Sequence, residues 1–231
     1  MKVLITGAAG YIGKQLVHYL AEEGEHEIIA ADIRDENPFS AHPAIVYTKL
    51  DVRSNEVTQI MQRYTVDVVV HLASIVTPGK DSNRDFEYSV DVIGTENILM
   101  ACVATNVKRI IISSSGAAYG YHPENSSWLV ETDEIRGNEE FTYSYHKRLV
   151  EEMLSDYRIA YPNLEQTIFR IGTILGSSVR NQITNLFDKR YLIGIQGSKS
   201  PFVFIWDQDV VRCFAKAISD EKTGIFNLAG D

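Results

Sequence analysis

The stretch "VLITGAAGYIGKQLVHYL", residues 3–20, decides the fold. Val3, Leu4, Ile5 and Thr6 make a short apolar, β-branched run that leads directly into glycines at 7, 10 and 13. A helical pattern follows. In a strand–turn–helix unit of this kind Gly7 permits the tight turn. Gly10 lets the backbone approach a pyrophosphate, and Gly13 lets the helix pack close to the strand. The helix N-terminus then offers free N–H groups and about half a positive charge to an anion. The first unit of the chain therefore reads as a dinucleotide cradle.

Working outward, short apolar runs alternate with longer helical patterns. Strands are expected at 2–6, 27–32, 45–50, 67–72, 108–115, 165–171 and 224–229, and helices near 11–23, 54–63, 86–106, 143–160 and 207–219. The middle strands are apolar at consecutive positions, as expected when both faces of a parallel sheet are covered. The fold class is α/β, a doubly wound parallel sheet of the Rossmann type. Asp32 ends the second strand, 19 residues after Gly13. A carboxylate there can accept from both adenosine ribose hydroxyls and repels a 2′-phosphate, which selects NAD over NADP. Arg34 stands close enough to soften that preference. Asp51, ending the third strand, reads either as a contact to the adenine edge or as an ordinary strand-end carboxylate. The longest irregular stretch, 119–142, runs from a strand end to a helix start, where long loops usually serve a site.

The bulk composition narrows the function classes. At 231 residues, 45% hydrophobic and 23% charged, the chain suits one globular domain. A net charge of −9 argues against a nucleic-acid partner. Cys102 and Cys213 form no Cys-x-x-Cys or Cys/His cluster, so reduced thiols and no metal site are expected. No apolar leader and no stretch of spanning length is seen, so a cytoplasmic protein without a membrane partner is expected.

A second stretch, "EEFTYSYHKRLVEEML" at 139–154, carries the candidate chemistry. Tyr143, Lys147, Val150 and Leu154 share one side of a helix, and Tyr145 points away from it. By spacing alone, Tyr143 and Lys147 are a working pair or a surface i, i+4 contact.

The spacing Thr6-Gly7-x-x-Gly10-x-x-Gly13 joins an ordered set of later stretches. These are "DVVVHLAS" (67–74), "DVIGTENILMAC" (91–102), "IISSSGAAYG" (111–120), Tyr143-x-x-x-Lys147, "FVFIWDQDVVRCFAKAI" (202–218) and "GIFNLAG" (224–230). Together they resemble the extended short-chain dehydrogenase/reductase family, its NAD-dependent epimerase/dehydratase group. The resemblance implies a Ser-Tyr-Lys site. Tyr143 is then the acid/base, Lys147 binds the nicotinamide ribose, and Ser115 holds the substrate oxygen. A free phenol ionises near pH 10, so proton transfer near neutrality costs about 4 kcal/mol unless cations stand by. The implied NAD-binding set is Gly7, Ala9, Gly10, Tyr11, Ile12, Gly13, Asp32, Asp51, Val52, Leu72, Ala73, Ser74, Tyr143, Lys147 and Arg170. His71 edges the cofactor mostly through backbone, Ser113 and Ser114 support the site, and Tyr145 and His146 are helix-face residues. Helices 86–106 and 143–160 pair relatives into a homodimer.

Three departures bear on the substrate. Asp91 stands where the family often has Asn. Thr173 replaces an Asn that contacts substrate in sugar-nucleotide enzymes. Segment 172–205 makes a small, abbreviated substrate-binding lobe, in which Arg180, Lys189 and Arg190 are diphosphate candidates. The expected function is oxidation of a secondary alcohol, of a small-molecule substrate such as a nucleotide sugar. Two alternatives are a plain dehydrogenase or carbonyl reductase and a non-catalytic NAD(P) sensor. The expected organisation is a single NAD-binding domain over 1–231, ending before a C-terminal substrate segment.

Overall fold

The computed structural model describes residues 1–77, 79, 82–179, 184–187, 190–191, 197 and 202–230. The run read first is β1 (Lys2–Thr6), the glycine turn and α1 (Tyr11–Glu23). After it come β2 (Glu27–Asp32), β3 (Ile45–Lys49), α2 (Glu56–Tyr64) and β4 (Val68–His71). The expected helix over 86–106 is three pieces: α3 (Arg84–Tyr88), a π-helical turn (Ser89–Ile93) and α4 (Gly94–Ala104). Gly94 opens α4 against Val52, and a Cβ there would lie 2.6 Å from the Val52 side chain. Next are β5 (Arg109–Ser115), a 3₁₀ turn (Gly116–Tyr119), α5 (Thr142–Ala160) and β6 (Glu165–Ile171). The rest comprises β7 (Thr173–Leu175), α6 (Thr184–Phe187), β8 (Phe204–Trp206), α7 (Asp207–Ser219) and β9 (Gly224–Leu228).

Seven parallel strands form one sheet in the order β3-β2-β1-β4-β5-β6-β9. Side chains alternate between its faces as a strand's period of two requires. Val3, Ile5, Val68, Val70 and Phe169 meet α1 and α7 through Leu16, Leu20, Val210 and Phe214. Leu4, Val69, Ile110, Ile112 and Ile168 meet α2, α4 and α5 through Met61, Ile98, Leu99, Val150 and Leu154. Both faces are thus closed, which is why the strands read as continuous apolar runs. Each such Leu, Ile or Phe, fully buried, contributes about 1.5–3 kcal/mol.

The crossovers differ in hand. Those through α2, α4 and α5 move the chain one way along the sheet on one face, and α1 moves it the other way on the opposite face. These four share a hand, the right-handed one that about 98% of parallel crossovers adopt. From β6 to β9 the chain moves as it does from β4 to β5, but through α7 on the α1 face. That crossover has the opposite hand. It is also the one that carries β7 and β8, a separate two-stranded parallel sheet, so the small C-terminal lobe is built on it. No helix among the described residues is long and apolar enough to cross a membrane.

Candidate active site

The C-terminal ends of β1, β2, β4 and β5 lie side by side, with Thr6 paired to Ala31 and to His71, and His71 to Ile112. Gly7 leaves β1 at φ +69°, the left-handed region. A Cβ on it would lie 2.7 Å from the Ala73 nitrogen, so β1 and the β4 exit approach too closely for any side chain. A Cβ on Gly13 would collide with the Gly7 carbonyl and Ala8 Cα, which sets α1 tight on the turn. Gly10 is different: a Cβ there would meet only the Gly7 oxygen, at 3.0 Å. Gly10 caps α1 without a side-chain hydrogen bond, and the first turn carries no acidic residue. The amides of Tyr11, Ile12 and Gly13 are the orphan donors that every helix start presents. An open, uncapped turn of this kind fits a pyrophosphate.

Asp32 is fastened to the same turn. Its Oδ2 accepts from Ala9 N at 2.9 Å and its Oδ1 from Arg34 N at 3.2 Å. The Arg34 guanidinium donates to the Ala9 carbonyl and lies 4.0 Å from Asp32 Oδ1. Asp51 is gripped by Arg53, whose Nε donates to Oδ1 at 2.9 Å, and this hydrogen-bonded guanidinium holds the carboxyl below the usual range. Val52 is buried, and its carbonyl accepts from Asn97 Nδ2 at 3.1 Å. Tyr11 points its hydroxyl at Asp207 Oδ2, 2.6 Å away at the start of α7, and burial together with that carboxylate raises its pKa.

Ser115 stands at the β5 exit, and the helix turn that carries Tyr143 and Lys147 docks on the same strand end. Ser115 ends β5 and caps the 3₁₀ turn, accepting from Ala117 N at 3.1 Å. The opening turn of α5 is fastened to that exit twice. Ser144 Oγ donates to the Ala117 carbonyl at 2.6 Å, and Lys147 Nζ donates to the Ser113 carbonyl at 2.9 Å. Lys147 Nζ also sits 5.5 Å from the Tyr143 ring centroid. Tyr143 is half-buried, and its hydroxyl has no hydrogen-bond partner among the described residues. The helix face read from i, i+4 spacing is therefore turned onto the strand end that carries Ser115.

Several supporting residues lie elsewhere than expected. His71 is fully buried: its Nε2 contacts Thr95 Oγ1 at 3.0 Å and its Nδ1 contacts Thr6 Oγ1 at 2.7 Å. Burial, with Lys147 nearby, pushes its pKa down to about 3, so the ring is a neutral bridge between β1 and α4. His146 is not a helix-face residue. It is 1% exposed and its Nδ1 contacts Asp91 Oδ2 at 3.1 Å. Asp91 in turn holds Ser74 and Ile75, so the loop after β4 is supported by the aspartate itself. Tyr145 is half-buried between the guanidinium groups of Arg84 and Arg148.

Arg170 is buried on β6, away from the glycine turn. Its Nη2 donates to Glu151 Oε2 at 2.7 Å, and its Nη1 donates to the Tyr119 hydroxyl at 2.8 Å and the Glu131 carbonyl at 3.0 Å. Ser114 Oγ donates to Glu151 as well, and the Tyr119 hydroxyl donates to Asn227 Oδ1 at 2.7 Å. This network ties loop 119–142 to β5, β6 and β9. Sequence spacing held a clue to Glu151, four residues after Lys147 on the same helix side. Thr173 lies in β7 with its N–H on the Val203 carbonyl at 2.8 Å. Arg190 is exposed beside Tyr191, and Arg180 and Lys189 lie outside the described residues. No group of three or more His, Cys, Asp or Glu among the described residues could hold a metal ion.

A model of the NAD dependent epimerase/dehydratase family matches residues 3–229. The UDP-glucose 4-epimerase of Yersinia enterocolitica is 29% identical over 188 residues, covering 77% of this chain and 54% of that protein. The UDP-glucose 4-epimerase of Yersinia pestis is 31% identical over 186 residues, with the same shares of 77% and 54%. The chain spans about half the length of these curated relatives. In three dimensions it is similar to the UDP-Glc/GlcNAc 4-epimerase of Campylobacter jejuni, with a TM-score of 0.82 at 22% identity over 99% of this chain and 78% of that one. The UDP-glucose 4-epimerase of Thermus thermophilus, in complex with NAD, superposes with a TM-score of 0.80 at 24% identity over the same shares, 99% and 78%. With its glycine turn, sheet order and Tyr143–Lys147 turn in place, and matched over nearly its whole length, the chain belongs to the NAD dependent epimerase/dehydratase family.

Proposed function

We propose that this chain binds NAD and oxidises a secondary alcohol of a nucleotide sugar, in the manner of the epimerases and dehydratases of its family. The observation that carries the reading is the docking of the α5 turn. Lys147 Nζ on the Ser113 carbonyl and Ser144 on the Ala117 carbonyl fasten the opening turn of α5, which carries Tyr143, to the β5 exit, which carries Ser115. The relatives described as UDP-glucose 4-epimerases and the NAD-bound Thermus structure support the choice of cofactor and substrate class.

NAD, when bound, supplies the hydride acceptor. The uncapped turn at Gly10–Gly13 would hold the pyrophosphate, Asp32 the adenosine ribose, and the β4 exit at Leu72, Ala73 and Ser74 the cofactor's inner half. Lys147 would hold the nicotinamide ribose. Ser115 Oγ would orient the substrate oxygen, and the Tyr143 phenolate oxygen would take its proton as the hydride leaves for NAD. Lys147 places a positive charge 5.5 Å from the centroid of the Tyr143 ring. NAD and UDP-glucose test the reading. Conversion to the 4-epimer without net NADH supports it. Net NADH release points to a plain dehydrogenase, and NAD binding without turnover of UDP-glucose or related nucleotide sugars points to a sensor.

Cofactor choice rests on Asp32, buried at the end of β2 and held to the turn by Ala9 N. NAD is expected to bind at least tenfold tighter than NADP by calorimetry, about 1.4 kcal/mol. Equal affinities would make Arg34 a phosphate ligand instead.

A homodimer through α4 and α5 completes the proposal. Met100 on α4 and Tyr161 just past the end of α5 leave apolar surface exposed on these two helices. Paired across a two-fold axis, it would bury itself. Light scattering at micromolar concentration should give twice the 26.0 kDa chain mass, and a monomer's mass would count against the interface.

A further inference from the structure

Asp91 accepts at both carboxylate oxygens while almost fully buried. Oδ1 takes the Ser74 hydroxyl at 3.0 Å and the Ile75 N–H at 2.8 Å, and Oδ2 takes His146 Nδ1 at 3.1 Å. Ser74 and Ile75 begin the segment that leaves β4, and His146 directly precedes Lys147 on α5. One carboxylate thus joins the β4 exit to the α5 turn. It sits in the π-helical turn Ser89–Ile93, and such turns inside helices are frequent at functional sites.

The proton positions follow from the partners. Thr95 donates to the Asp91 carbonyl at 2.6 Å, so its oxygen accepts from His71 Nε2, and His71 Nδ1 accepts from Thr6. An ionised carboxylate only accepts, so His146 carries its proton on Nδ1. Its Nε2 is then left buried with no partner among the described residues. Burying a carboxylate against a half-satisfied imidazole costs stability that an apolar pair of the same volume would not.

We propose that Asp91 and His146 form a clamp that positions the Tyr143–Lys147 turn against the β4 exit. Neither is a catalytic residue. Asp91 fixes Ser74 and Ile75, where the cofactor's inner half is expected, and His146 fixes the helix turn relative to them. The clamp rests on the reading of Tyr143 and Lys147 as the proton-transfer pair, although its contacts exist without it. An Asn at position 91 would keep the contacts with roles reversed. Its oxygen would accept from Ser74 and Ile75, and its amide would donate to a bare Nδ1, moving the ring proton to Nε2.

Three variants decide it: His146→Ala removes the donor, His146→Asn keeps a donor near the Nδ1 position, and Asp91→Asn reverses the roles. Hydrogen exchange at the Ile75 amide should speed up at least tenfold in His146→Ala, the scale of losing one charge-assisted bond. With NAD and UDP-glucose, kcat should fall about 10- to 100-fold, the scale of a small misplacement, while KM and NAD affinity stay within about threefold. His146→Asn should restore both. Imidazole nitrogen resonances should place the His146 proton on Nδ1 in the unaltered chain and on Nε2 in Asp91→Asn, with Ile75 still protected.

Unchanged Ile75 exchange in His146→Ala would overturn the clamp, since Asp91 would then hold the loop alone. Failure of His146→Asn to recover kcat would overturn it too, by showing that the imidazole does more than hold. If His146→Ala does not fold, loss of Ile75 protection in Asp91→Asn overturns the proposal and retention supports it. If the unaltered chain turns over no nucleotide sugar, the functional reading fails, while exchange and resonance positions still decide the clamp.

Discussion

Tyr143→Phe is expected to lower turnover with NAD and UDP-glucose by about 10²- to 10⁴-fold, the usual contribution of a positioned acid/base. NAD affinity should stay within about threefold. The substitution removes one oxygen and nothing that anchors α5. Ser144 stays on the Ala117 carbonyl, Lys147 on the Ser113 carbonyl, and the ring keeps its place 6.2 Å from Phe141. Lys147→Ala, by contrast, should weaken both NAD binding and turnover, because it removes the ribose ligand and the charge beside Tyr143. Stopped-assay product analysis and calorimetry on the same preparations separate the two. Near-normal turnover in Tyr143→Phe would show that another group moves the proton.

Glu151→Ala is expected to destabilise the fold by about 3–5 kcal/mol, the cost of stranding a buried charge by removing its partner. Glu151 and Arg170 are 3% and 5% exposed. Arg170 Nε reaches both carboxylate oxygens, at 3.1 and 3.0 Å, and Nη2 makes a third bond at 2.7 Å. Without Glu151 the guanidinium keeps only Tyr119 and the Glu131 carbonyl, and Ser114 loses its acceptor. The denaturation midpoint in urea should drop steeply. Arg170→Met in the same chain should recover part of the loss, since no charge is then left unpaired. A single variant as stable as the original would mean that water reaches this pair.

The two effects differ in kind, and the difference shows what short-range pattern can carry. Tyr143 and Lys147 were legible because an i, i+4 pair on a helix is local, and because the ordered motifs around them resemble a family with a known site. The glycine turn was legible for the same reason: Gly7, Gly10 and Gly13 act within one strand–turn–helix unit. Apolar runs announced a sheet covered on both faces, and both faces are covered.

Side chains that meet across long separations were not legible. Asp91 and His146 are 55 residues apart, and at the sequence level one looked like a weakened support and the other like a helix-face base. Arg170 was placed with the cofactor by resemblance, whereas its pairing with Glu151, 19 residues away, holds it beneath the β5 exit. The break of 84–104 into α-helix, π-turn and α-helix depends on Gly94 pressing against Val52 and on the contacts of Asp91, none of which is a property of that segment alone.

The sequence by itself thus determined the α/β class, the glycine turn and the helix face that bears Tyr143 and Lys147, because each is encoded within about 20 residues by period and spacing. Only the tertiary structure decided the face of the sheet on which α7 lies, the reversed hand of the crossover that carries β7 and β8, and the pairing of buried charges under the site. Those outcomes depend on which surfaces meet once the sheet is assembled, and a buried acid or base shows no mark in the sequence of the partner that makes its burial tolerable.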